Sequence, residues 1–141
     1  FTGDASGDWL YQALHRFGFA SQPTSRSADD GLTLIDCYIT AAARCAPPGN
    51  QPARQELDTC RPYLEREVQL LPNVRVVLAL GRIGHEAWLR ASGRVTRMPD
   101  GLTLVCTYHP SRQNTNTGKL TRRMWHGVFR RVRRLLDERE E

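Results

Sequence analysis

Apolar residues recur along this chain with two different periods. Between Gly7 and Phe17, residues Trp9, Leu10, Ala13, Leu14 and Phe17 fall on one helical face. Ser6 is the expected cap of that helix and Gly18 its stop. "LTLIDCYIT", Leu32 to Thr40, predicts a strand, and the Pro/Gly-rich "AAARCAPPGNQP" a loop after it. A short helix is expected over about Ala53–Thr59, and a second, opened by Pro62 in its first turn, as far as Leu71. "NVRVVLALG", Asn73 to Gly81, is continuously apolar, which is the pattern of a buried parallel strand. "IGHEAWLRAS" predicts a helix, "LTLVCTYHP" another strand, and from Thr121 a long helix places Met124, Val128, Val132 and Leu135 at helical spacing.

Strands alternating with helices predict an α/β fold: a three-layer α/β/α sandwich around a short parallel sheet. At 141 residues the chain is expected to be a single domain. In such sheets sites form beyond the carboxyl ends of strands. The polar segments after Thr40, Gly81 and Tyr108 all occupy that position.

Charge changes the picture modestly. The net charge is +5, a mild preference for polyanions. It is concentrated: Lys119–Arg134 carries eight basic residues, His126 included, and no acid, so Arg122, Arg123, Arg130, Arg131 and Arg134 form either a solvated face or a sequence-independent contact. No apolar run approaches a membrane span. Four cysteines make no evident disulfide framework, and the expected compartment is the cytoplasm.

Three segments carry candidate chemistry. Cys37 and Cys106 lie in strand patterns and are expected to be small core hydrophobes, whereas Cys45 sits in a loop and Cys60 between two short helices. Two thiolates do not complete a tetrahedral metal or iron–sulfur site, so spacing alone leaves Cys45 and Cys60 undecided. "FTGDASGDW" can admit a phosphate at a helix start, but Asp4 and Asp8 equally suit the positive end of a helix dipole. In "TYHPSRQNTNTGKLT", His109 follows a strand directly, and Ser111, Arg112, Gln113, Asn114, Thr115, Asn116 and Thr117 offer donors to phosphates and base edges. Arg82, just past a strand end, is a further candidate phosphate contact.

"FTGDASGDWL", "ITAAARCAPPGNQP", "VVLALGRIGHEAWL" and "TYHPSRQNTNTGKLT" together resemble the uracil-DNA glycosylase superfamily, above all its family 5, the type-b enzymes with an iron–sulfur cluster. The resemblance covers nearly the whole chain and keeps the motif order. It implies a four-stranded parallel sheet flanked by helices, and hydrolysis of the N-glycosidic bond of uracil and related deaminated bases in double-stranded DNA, with the target nucleotide flipped into a pocket. It implies Phe1 stacking on the flipped base, Asp4 orienting or activating water, Asn50 contributing to activity, and His109 facing the base O2. Ser111, Arg112, Gln113, Asn114 and Asn116 would enter the duplex, and Cys45 and Cys60 would be two of the four ligands of a 4Fe–4S cluster. A monomer acting on the nucleoid of a bacterium or archaeon is the implied setting, with no membrane partner.

Set against that family, Ala41 stands where family 4 relatives carry an asparagine that reads the uracil edge, so a broader range of bases is expected. The chain begins after an expected Cys-x-x-Cys pair and a central strand. A chain lacking a middle strand and two ligands is expected to show little excision by itself. The competing expectations are a non-catalytic nucleic-acid-binding domain and an iron–sulfur regulatory module of the same fold.

Overall fold

A computed structural model describes residues 4–43, 52–93 and 101–138. The order of elements is α1 (Ala5–Arg16), α2 (Arg54–Leu70), β1 (Val76–Leu80), α3 (Gly81–Ser92), β2 (Thr103–Thr107), α4 (Arg112–Asn116) and α5 (Arg122–Asp137). The chain divides into two compact units, residues 1–38 with 107–141, and residues 39–106.

The first unit is held by α1 and α5. Leu10, Tyr11, Ala13 and Leu14 of α1 are buried, as are Trp125, Phe129 and Val132 of α5. Trp125 meets Phe129 edge-on at 4.9 Å and Trp9 at 6.2 Å, and its indole N–H donates to the Trp9 carbonyl at 3.0 Å. That bond satisfies the one polar atom of a fully buried ring. Arg122 stacks on Trp9 at 3.9 Å and donates to Gln12 Oε1 at 3.0 Å, which ties the same two helices at their rim. Val132 is buried as expected, but Trp125 and Phe129 replace Met124 and Val128 on the buried stripe of α5, and Met124 is 44% exposed. The helix turns to bury its two large rings, Trp125 and Phe129, in preference to a flexible thioether.

Two other expectations fail here. The cap of α1 is Asp4 rather than Ser6, because Asp4 is the residue with an extended backbone and an acceptor aimed at Gly7 N. Leu32–Thr40 forms no strand: one isolated antiparallel bridge joins Ala20 and Leu34. Asp36 takes φ +50°, which breaks the pleat, and Ile35 remains exposed.

In the second unit β1 and β2 form a short parallel sheet, extended by Thr103 N donating to the Arg75 carbonyl at 2.9 Å. Ala79 and Val105 are its buried residues. The α/β organisation with a short parallel sheet, expected from the sequence, is present, with two strands among the described residues. β1 passes straight into α3 through Gly81 at φ +84°, a turn that a Cβ would strain. α2 packs on α3. It is one continuous helix with Pro62 in its interior, not two helices. A proline there forfeits a backbone hydrogen bond. Continuity keeps Cys60 and Leu64, one turn apart, on a single buried face. No described helix is long and apolar enough to cross a membrane.

Candidate active site

Asp4 opens the first unit's chemistry. Its backbone is extended, with φ −114° and ψ 169°, and its Oδ1 accepts from Gly7 N at 2.6 Å. One carboxylate oxygen is thereby engaged by the helix start, while the residue as a whole stays exposed. The cap fixes the carboxylate's direction at the positive end of α1.

His109 lies two residues beyond β2 and is half-buried. Burial lowers its pKa below the ordinary 6.5, and the negative charge of Asp4 pulls the other way with a smaller effect. The two residues therefore lie within electrostatic reach of each other inside one compact unit. At neutral pH the His109 ring is uncharged, with one N–H to donate and one nitrogen to accept.

The segment after His109 is more ordered than its composition suggests. Pro110 is fully buried, and Ser111 caps the one-turn helix α4 by accepting from Asn114 N at 3.3 Å. The Thr115 hydroxyl donates to the Ser111 carbonyl at 3.0 Å, and the Thr117 hydroxyl to the Gln113 carbonyl at 2.6 Å. Asn114 Nδ2 donates to the His109 carbonyl at 2.9 Å, and the Asn114 carbonyl accepts from Leu120 N at 2.9 Å. Leu120 is itself buried. Four of the short polar side chains thus hold the segment's own backbone, and Arg112, Gln113 and Asn116 are left exposed. The sequence alone offers all of them as donors to phosphates and base edges. A serine directly after His-Pro was the available sign of a capped turn.

Tyr108, 46% exposed, carries Lys119 Nζ at 4.9 Å from its ring centroid. Among the arginines of α5, Arg122 is held by α1, Arg133 pairs with Asp137 at 3.3 Å and Arg134 with Glu138 at 3.4 Å. Arg123, Arg130 and Arg131 remain exposed on this helix.

Other candidates fall elsewhere. Phe1, Cys45 and Asn50 lie outside the described residues. Arg82 and Cys60 belong to the second unit. Arg82 is 86% exposed and pairs with Glu86 at 3.7 Å. Cys60 is buried within α2 rather than between helices. Cys106, expected in a core, is exposed, and Cys37 is half-buried; burial raises both thiols above their ordinary pKa of 9.0. A five-residue strand in a two-stranded sheet leaves alternate side chains uncovered, which accounts for Cys106. Among the described residues no group of three or more His, Cys, Asp or Glu could hold a metal ion. These residues do not by themselves fit a four-thiolate cluster.

The uracil DNA glycosylase superfamily matches residues 1–133, and the chain belongs to that superfamily. Within it, the chain is 49% identical to a type-5 uracil-DNA glycosylase of Thermus thermophilus, over 96% of this chain and 66% of the relative. A type-5 uracil-DNA glycosylase of Mycobacterium tuberculosis is 43% identical over 96% of this chain and 55% of its own length. One from Pyrobaculum aerophilum is 38% identical over 94% of this chain and 62% of its own length. The chain thus spans between about half and two thirds of these relatives.

Proposed function

We propose that the protein containing this chain is a DNA-repair glycosylase that hydrolyses the N-glycosidic bond of uracil and related deaminated bases, leaving an abasic site. The observation that carries this reading is the superfamily match over residues 1–133, supported by the half-buried His109 behind β2 and the exposed Asp4 carboxylate at the start of α1 in one compact unit. The superfamily match runs across both compact units, which supports a single glycosylase domain over residues 1–141.

Cleavage of the C1′–N1 bond develops positive charge on the sugar and negative charge on the departing base. In the proposed mechanism the His109 N–H donates to the base O2 as that charge grows, and a neutral imidazole does so without needing a counter-ion. The Asp4 oxygen not engaged by Gly7 faces the sugar, stabilises the oxocarbenium-like carbon and orients the water that attacks it. Asn50 and Phe1, which lie outside the described residues, are further candidates, Asn50 for activity and Phe1 for stacking on the flipped base. Arg112, Gln113 and Asn116, exposed on α4, support the duplex where the nucleotide has left, and Arg82 remains a separate candidate phosphate contact. Double-stranded DNA carrying a deaminated base is the partner, met by a monomer in the bacterial or archaeal cytoplasm. Cys45 and Cys60 would supply two of the four thiolates of a 4Fe–4S cluster whose contribution is to brace the fold.

Incubation of the full-length protein with a uracil-containing duplex, followed by alkali, tests the reading. Strand breaks at the uracil position are expected; their absence, with DNA binding intact, favours a non-catalytic binding domain.

A further inference from the structure

Asn114 lies at the centre of the hydrogen bonds that hold the segment between His109 and Leu120. Its backbone N–H donates to Ser111 Oγ at 3.3 Å, its carbonyl accepts from Leu120 N at 2.9 Å, and its side-chain amide donates to the His109 carbonyl at 2.9 Å. Only the NH2 of an asparagine can donate to a carbonyl, so the orientation of the amide is fixed by its partner. The residue is half-buried, unlike the exposed Arg112, Gln113 and Asn116 around it.

We propose that Asn114 is a positioning residue for His109 rather than a contact to DNA. The peptide plane between His109 and Pro110 is clamped from two sides. Pro110 is fully buried and restricts the backbone of the residue before it. The Asn114 amide fixes the His109 carbonyl, hence the direction in which the His109 Cα–Cβ bond leaves the plane. With the backbone fixed, few side-chain rotamers remain to the imidazole. Both ends of the clamp are anchored in turn, at the Ser111 cap and at buried Leu120. A displacement of about 1 Å at a group that must meet a developing anion costs up to ~100-fold in rate.

Only the kinetic part of this inference rests on the glycosylase reading. The experiment compares full-length wild type, Asn114→Asp, Asn114→Ala and Arg112→Ala. Asn114→Asp keeps the shape and removes the donor, so it serves if Asn114→Ala does not fold. Single-turnover excision at saturating enzyme is expected to fall between about tenfold and 100-fold for either Asn114 variant, with Kd for the duplex changed less than twofold. Arg112→Ala is expected to raise Kd. NMR titration of the His109 ring supplies the second readout: its midpoint and ring shifts move in the Asn114 variants and stay in place in Arg112→Ala. A raised Kd with unchanged saturating rate and unchanged His109 titration overturns the proposal and makes Asn114 a DNA contact; no change in any readout overturns it as well. Should wild type excise nothing, the glycosylase reading fails, and the His109 titration still decides the positioning role.

Discussion

The Asp4 carboxylate accepts a hydrogen bond from Gly7 N at 2.6 Å, so the residue proposed to orient the attacking water is also the cap of the first helix. The geometry shows the cap, and the catalytic role is the proposed one. Asparagine caps helices about as well as aspartate, whereas alanine does not. Asp4→Asn is therefore expected to lose excision by about 100-fold or more at little cost in stability. Asp4→Ala is expected to lose the same activity and an additional ~1 kcal/mol in denaturant unfolding. Equal stability of the two variants would remove the capping role.

The titration of His109 sets a pH dependence of stability. Burial lowers its folded pKa below 6.5, against the smaller opposing effect of Asp4. The unfolded chain takes up a proton at about 6.5 and the folded chain only at lower pH, so acid favours unfolding between those two values. His126 is lowered too, by burial and by Arg16, Arg122 and Arg130, and loses stability in the same direction. Wild-type stability is expected to decline as pH drops below 6.5, and a His109→Gln variant to decline less steeply. Parallel curves in urea titrations from pH 7.5 to 5 would contradict the assignment.

The segment after His109 separates into a scaffold and a surface, and variants should separate likewise. Ser111→Ala removes the cap of α4 and is expected to cost ~1 kcal/mol of stability. Arg112→Ala is expected to leave stability unchanged while reducing the slope of log K against log salt by about 1. Equilibrium binding over a salt series, beside thermal unfolding, measures both.

Much of this was legible in the residues, and the failures have physical causes. α1, β1, α3, β2 and α5 follow the apolar periods of the sequence closely. α4 does not, since Arg-Gln-Asn-Thr-Asn contains no apolar stripe, and its turn is made by the Ser111 cap and by threonine hydroxyls returning to the backbone. Leu32–Thr40 has a strand's composition, and its alternation between half-buried and exposed positions survives, but Asp36 at positive φ prevents a continuous ladder. Pro62 suggests a helix start because local rules count its cost and not the burial of Cys60 and Leu64 on either side. His109 and Asp4 were found through motif order; their mutual electrostatics needed the fold.

Cys60 provides a test of the cluster. It is buried in α2, where a thiol also serves as a small apolar side chain. If it ligates iron, Cys60→Ala in the full-length protein abolishes the visible charge-transfer absorption and the bound iron. Retention of both would leave Cys60 a packing residue.

The most direct measurement of the central claim is the split between chemistry and binding in the full-length protein. Single-turnover release of uracil and equilibrium Kd for the same duplex are measured for wild type, Asp4→Ala and His109→Ala. Loss of a transition-state donor or of the water-orienting carboxylate is expected to slow release by about 100-fold to 1,000-fold, with Kd changed only a few-fold. Equal losses in rate and in binding, or undiminished release from either variant, would contradict the roles given to this pair.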